Sequence, residues 1–185
     1  DFEPNFRSFN YVLIEEKHRL VVEYRNELGQ SFGPSRAERL FERLFKEYLP
    51  NDAPDVDVTV IPEEESLDKI FAIPRLRRLE ILLKRPNPDD VAEAANRVLS
   101  RLTGQGARSQ KIELVKAAKK KTLTPDGETK ALAELAALNG NVTGEGKDDE
   151  GKPVYESTDK HPKVRSINVE GPTSIGAFFS SIRLF

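Results

Sequence analysis

The chain has 185 residues, 37% hydrophobic and 32% charged, with a net charge of −2. That is enough chain to bury a core, and no apolar run approaches the length of a membrane-spanning helix, so a soluble cytoplasmic protein with no membrane contact is expected. Cysteine is absent, which excludes disulfides and thiolate metal centres.

Residues 1–10 are a Phe-rich lead-in that tucks Phe2, Phe6 or Phe9 against the core. The β-rich runs 11–15 and 19–24 form a hairpin around Glu16, Lys17 and His18, with His18 a solvated turn residue. Gly33, Pro34 and Ser35 open a helix whose apolar face is Ala37, Leu40, Phe41, Leu44, Phe45 and Tyr48, and Pro50 ends it. Val56, Val58 and Val60 alternate with Asp57 and Thr59 as a strand ending at Pro62. Glu63, Glu64 and Glu65 form the acidic start of a short helix over 66–72, which leads by a right-handed crossover into the next strand.

That next strand is the clearest element. Leu79, Ile81 and Leu83 alternate with Arg78, Glu80, Leu82 and Lys84, the period of a strand with one buried face. A turn follows in which Asn87 caps and Pro88 starts a helix carrying Val91, Ala95, Val98 and Leu102 on one side, closed by Gly104 and Gly106. Residues 110–118 form another strand through Ile112 and Leu114. Thr124 and Pro125 then begin a third main helix, with Leu132, Leu135, Ala136 and Leu138 inward, terminated at Asn139, Gly140 and Asn141. Val142 and Val154 belong to a long hairpin with a mobile, acidic, Gly-rich tip. A polar turn covers Ser157 to Pro162. The tail has a β-like piece over 167–169 and an apolar end over 175–185. These elements predict a single α+β domain over 1–185: a mainly antiparallel or mixed sheet of about five to seven strands, with three main helices packed on it.

Several pieces, in this order, carry a resemblance: Phe9 to Val12 with the hairpin after it, Ser35 to Glu38, and Leu79 to Lys84 followed by Arg85 to Asp90. Ala136 to Gly140 and Ser157 to Pro162 complete it. They resemble the C-terminal two-thirds of a bacterial family described as a domain of unknown function. The resemblance implies a bacterial or phage-related protein and a fragment of a longer chain, with an N-terminal region ahead of Asp1. It transfers no catalytic residue.

The charge is unevenly placed. Residues 71–121 hold 13 Lys and Arg against 5 Asp and Glu. Clustered cations neutralise phosphates and release counterions, so Arg75, Arg77, Arg78, Lys84, Arg108, Lys111, Lys116, Lys119, Lys120 and Lys121 are the candidate nucleic-acid-binding residues. The expected function is that of a non-catalytic, nucleic-acid-associated bacterial protein, by analogy part of a phage-defence or mobile-element system. Phe71 is the only aromatic in this stretch, which argues against base stacking.

Two alternatives stand beside it. Asp148, Asp149 and Glu150, with Asp159 and His161, offer the ligand types of a metal-dependent nuclease, although a flexible turn is the simpler reading. Asp126 and Lys130 imitate a nuclease acid–lysine pair without an acidic strand before them. The apolar end, through Phe178 and Phe179, offers a homo-oligomer or a protein-assembly contact, docking on the chain's own core being the simpler reading. Phosphate loops, nucleophile elbows and serine–histidine pairs are missing, so no catalytic residue, metal site or cofactor is assigned.

Overall fold

The computed structural model describes residues 6–53, 56–85, 93–166, 176, 178 and 179. Among them the protein is α+β, with six strands in two antiparallel sheets, and the chain forms two compact units, Asp1–Val58 with Val164–Phe185, and Thr59–Lys163.

In the first unit, β1 (Tyr11–Ile14) and β2 (Arg19–Val22) pair in register Tyr11 to Val22 through Ile14 to Arg19. The reversal at Glu15–Lys17 is a single 3-10 turn, and His18 adopts a left-handed φ of 47° to leave it. The hairpin ends sooner than the apolar run suggests. Beyond Val22, the Glu23 carboxylate accepts from both the Asn10 backbone N–H and Asn10 Nδ2 at 2.9 Å. Helix α1 (Pro34–Tyr48) starts with Pro34 after Gly33, as expected, and buries Ala37 and Phe41. Tyr48 does not share that face; it is 74% exposed, in the last turn of the helix.

The second unit holds α2 (Ser66–Phe71), β3 (Arg75–Lys84), α3 (Glu93–Gly104), β4 (Ser109–Val115), α4 (Gly127–Leu138), β5 (Gly140–Lys147) and β6 (Pro153–Ser157). Its sheet runs β4-β3-β5-β6, antiparallel throughout, with β3 inside it as expected. Leu79, Ile81 and Leu83 are fully buried, in one cluster with Ile70 of α2, Ala95, Val98 and Leu102 of α3, and Ala133 and Ala136 of α4. Removing these side chains from water is the main stabilising term of the unit. Helix α3 ends in a Schellman turn. Ala107 N–H reaches Leu102 O at 2.8 Å, Gly106 N–H reaches Thr103 O at 3.0 Å, and Gly106 takes φ +64°.

Four expectations are corrected here. Val56, Val58 and Val60 form no strand: the segment joins its neighbour through one isolated bridge, Pro62 to Pro162. That bridge is made by Glu63 N–H to His161 O at 2.7 Å and Lys163 N–H to Ile61 O at 2.8 Å, and no further pairing extends it among the described residues. Without a strand there, no crossover leads into β3. Helix α4 begins at Gly127, capped by Asp126, whose Oδ1 accepts from Thr129 N–H at 2.8 Å, so Thr124 and Pro125 precede it. The tip of the β5–β6 hairpin is hydrogen-bonded: Asp148 Oδ1 accepts from Lys152 N–H at 2.8 Å, and Asp148 O accepts from Gly151 N–H at 3.1 Å. The capping turn at Asn87 and Pro88 and the β-like piece over 167–169 lie outside the described residues.

A polar knot fastens the far end of β5. Thr158 is 2% exposed, its hydroxyl donating to Asn141 Oδ1 at 2.6 Å and accepting from Val142 N–H at 3.1 Å. Asn141 Nδ2 donates in turn to Asp159 Oδ2 at 2.7 Å. Each of these polar groups has its partner, which is what buried polar atoms require.

Candidate nucleic-acid interface

The helices cover one face of the four-stranded sheet, and the cations of the basic stretch fall outside that face. The parity of β3 explains how. Leu76 is buried as well as Leu79, Ile81 and Leu83, which breaks strict alternation. The pairing with β5 shifts register between Leu76 and Arg78, a bulge that inserts Arg77 as an extra residue. Arg77 and Arg78 therefore both leave the core face: Arg77 is exposed and the Arg78 side chain is 39% exposed.

Antiparallel pairing then brings the end of β4 to the start of β3. Arg78 lies opposite Val115, and Lys116 N–H donates to Arg77 O at 2.7 Å. The chain turns through Ala117, Lys119 and Lys120 and returns to β3, where Leu123 N–H donates to Leu76 O at 2.8 Å. Lys116 Nζ closes this turn by donating to Ala117 O and Lys120 O at 2.9 and 2.8 Å. Lys119, Lys120 and Lys121 are exposed on it. On the other side of β3, Arg75 is the register partner of Lys147. Seven of the ten predicted residues, Arg75, Arg77, Arg78, Lys116, Lys119, Lys120 and Lys121, thus meet at one end of the sheet, and Lys147 joins them. Lys147 escaped notice because it belongs in sequence to the acidic hairpin; only strand register places it beside Arg75.

The other three lie elsewhere. Lys84 is at the opposite end of β3, paired in register with Ser109, and Arg108 immediately precedes that serine. Lys111 is mid-sheet, its Nζ 2.9 Å from Glu80 Oε1.

Carboxylates are built into the same surface. Glu80 and Glu113 are direct cross-strand partners, and Arg78 serves both, with NH2 3.0 Å from Glu80 Oε2 and Nε 2.8 Å from Glu113 Oε1. The Nε contact is an ion pair at poor hydrogen-bonding angle. Glu113, above all, and then Glu80 and Glu145 hold the Arg78 guanidinium further toward its charged form, against partial desolvation. The Lys111 hydrogen bond, aided by the charges of Lys111 and Arg78, holds Glu80 below the usual carboxylate range. By contrast Arg77, Lys119, Lys120, Lys121 and Lys147 form no ion pair or side-chain hydrogen bond among the described residues.

The acidic hairpin does not assemble the metal ligands that its sequence suggested. Asp148 and Asp149 are at the tip, where Arg75 NH2 donates to Asp149 O at 3.4 Å, and Glu150 pairs with Lys152. Asp159 is bonded to Asn141, about seven residues back along β5, roughly 23 Å at ~3.3 Å per residue. His161 faces Glu156, with Nε2 2.9 Å from Oε2, and Lys69, with Nδ1 3.3 Å from Nζ. Among the described residues no three His, Asp or Glu side chains converge as a metal site. Burial raises the Asp159 carboxyl above its ordinary value, and Lys84 partly offsets the rise. Asp126 serves as a helix cap.

Phe178 is 7% exposed and meets Phe179 edge-on with centroids 5.8 Å apart, while Phe179 is 52% exposed. No helix among the described residues is long and apolar enough to cross a membrane.

No curated protein and no solved structure matches the chain. One family does, over residues 1–179, nearly the whole length. The chain belongs to the family described as Domain of unknown function (DUF4747).

Proposed function

We propose that the protein binds the phosphate backbone of nucleic acid through the basic end of its four-stranded sheet. The observation that carries this reading is the convergence of Arg75, Arg77, Arg78, Lys116, Lys119, Lys120 and Lys121 from β3 and the turn that follows β4, with Lys147 supplied by β5. Phosphate recognition needs cations that are exposed and available, and five of these eight form no ion pair or side-chain hydrogen bond among the described residues. The turn bearing the lysines is fixed by the Lys116 hydrogen bonds to its carbonyls, so less of its freedom is lost on binding. The ring that borders these cations, Tyr155 in the cross-strand row of Arg78 and Glu145, already carries the Lys160 ammonium, which favours contact with the backbone over stacking on bases. In this reading the protein is non-catalytic, and its association with bacterial phage-defence or mobile-element systems is an analogy carried by the resemblance.

The test is a titration of labelled single- and double-stranded DNA and RNA at several salt concentrations. Affinity should fall log-linearly with salt, and an Arg77→Glu/Lys119→Glu/Lys121→Glu variant should lose at least tenfold. Salt-independent binding, or none at low salt, refutes the reading.

A further inference from the structure

The first unit contains a hollow that the basic end of the sheet does not use, and we infer that it is a binding pocket for a small aromatic anion. The hollow is open to solvent on one side and has a volume of about 410 Å³, within the size range of small-ligand sites. Its walls come from the segment before β1, from the β1–β2 hairpin, and from the exposed approach to α1 and the first turns of that helix. Phe9 and Phe32 stack with centroids 5.1 Å apart at 27°, and Tyr11 meets Phe41 edge-on, also at 5.1 Å. Phe9, Phe32, Leu40 and Leu44 are only half-buried although they line the hollow. A flat apolar body placed there would remove further apolar area from water and would meet aromatic faces, the arrangement that accepts a ring.

The charges on the walls select the sign of the ligand. Arg7 and Arg36 line the hollow, and neither forms an ion pair or side-chain hydrogen bond among the described residues. A second depression of about 360 Å³ adjoins it, sharing Ser31 and Arg36 and adding Ser35 and Arg39. The Arg39 side chain is held there by Nε donating to Ser35 O at 3.0 Å. The protein carries 31 Asp and Glu, yet among the described residues neither depression has a carboxylate in its lining. Three arginines and, among the described residues, no acid in the lining of an aromatic cavity suit a ligand with a ring at one end and a phosphate or carboxylate at the other. A guanidinium would take either group through paired N–H donors.

The described residues of this pocket lie between Arg7 and Leu44, outside the unit that carries the basic sheet end, so the two proposals fail independently.

The experiment uses the full chain with 1-anilinonaphthalene-8-sulfonate, a fluorescent aromatic anion, as the direct probe, followed by displacement. Competitors are adenosine monophosphate, 2-naphthoate, and the neutral molecules adenosine and 2-naphthol. Saturable binding of one probe per chain is expected, with displacement by at least one of the two anions and at least tenfold weaker displacement by its neutral counterpart. Which anion competes distinguishes a phosphate-bearing from a carboxylate-bearing ligand. Arg36→Glu, an exposed change, should weaken probe binding at least tenfold while leaving circular dichroism and thermal unfolding unchanged. Leu44→Trp should fill the cavity and block the probe; if that variant does not fold, Arg36→Glu alone decides. Non-saturable binding, equal displacement by neutral competitors, or unchanged affinity in Arg36→Glu overturns the inference.

Discussion

Gly140, the first residue of β5, lies so close to the Leu82 carbonyl of β3 that a side-chain Cβ at position 140 would collide with that oxygen. The same carbonyl belongs to the central strand, which cannot retreat without disturbing its pairing with β4. Farther along β5, a Cβ at Gly144 would come within 2.7 Å of Ile70 Cγ2, a methyl of a fully buried side chain rather than backbone. Gly144→Ala is therefore expected to cost about 1–3 kcal/mol, as overpacked core positions do. Gly140→Ala should cost more, because its clash is with backbone. Denaturant unfolding of the two variants checks the order, and a milder Gly140→Ala would contradict the close approach.

The buried face of β3 predicts a second contrast. Ile81 is fully buried between the flanking strands and under the helices, whereas Val115, on the opposite face at the end of β4, is 66% exposed. Ile81→Ala should lose about 2–5 kcal/mol from lost burial and the cavity left behind. Val115→Ala should change stability by no more than about 0.5 kcal/mol. Similar losses at the two positions would mean that the sheet is covered on both faces.

Asp159 makes stability depend on pH in a direction opposite to most surface carboxylates. Burial raises its folded pKa above the unfolded value, with Lys84 opposing. Such a group binds its proton more tightly when folded, so the penalty for ionising it is absent below the unfolded pKa and complete above the folded one. Asp159→Asn removes the penalty while an amide oxygen still accepts from Asn141 Nδ2. The variant should melt higher than the parent at pH 7, and its advantage should shrink as pH falls through the folded and then the unfolded pKa of Asp159. A lower melting temperature at pH 7 would show that the attraction to Lys84 outweighs the desolvation.

How much of this was legible in the sequence depends on how local the signal was. Leu79, Ile81 and Leu83 declared the buried face of β3 by alternation alone, and Gly104 and Gly106 marked the end of α3. Residues 56–60 alternate just as well but form no strand, because a strand also needs a neighbour to pair with, and among the described residues this segment meets one only at the isolated bridge of Pro62 to Pro162. Thr124 and Pro125 imitate a helix start that Asp126, two residues later, makes with its own carboxylate. The basic candidates could be counted in the sequence, but their sorting into one sheet end and a remainder depended on the register between β3 and β4. That pairing joins residues 25 to 37 positions apart. The bulge at Arg77, the arrival of Lys147 and the pocket at Arg7 and Arg36 are likewise products of contacts distant in sequence.

Glu80 and Glu113 set the last expectation. Two carboxylates directly opposite on neighbouring strands repel, and Arg78 and Lys111 offset that repulsion by pairing with them. A phosphate approaching Arg78 must compete with Glu113, the strongest influence on that guanidinium. Glu113→Gln keeps the shape and removes the competing charge. If the basic end binds nucleic acid, this variant should bind more tightly than the parent, by up to about fivefold at low salt, the scale of removing one exposed ion-pair competitor. The gain should fade as salt screens the site, and it should vanish when Arg78→Gln is added. Fluorescence anisotropy of the parent, the single variant and the double variant at two salt concentrations measures all three effects. A Glu113→Gln variant that binds no better than the parent would place the phosphate contacts away from Arg78, on Arg77 and the lysine turn.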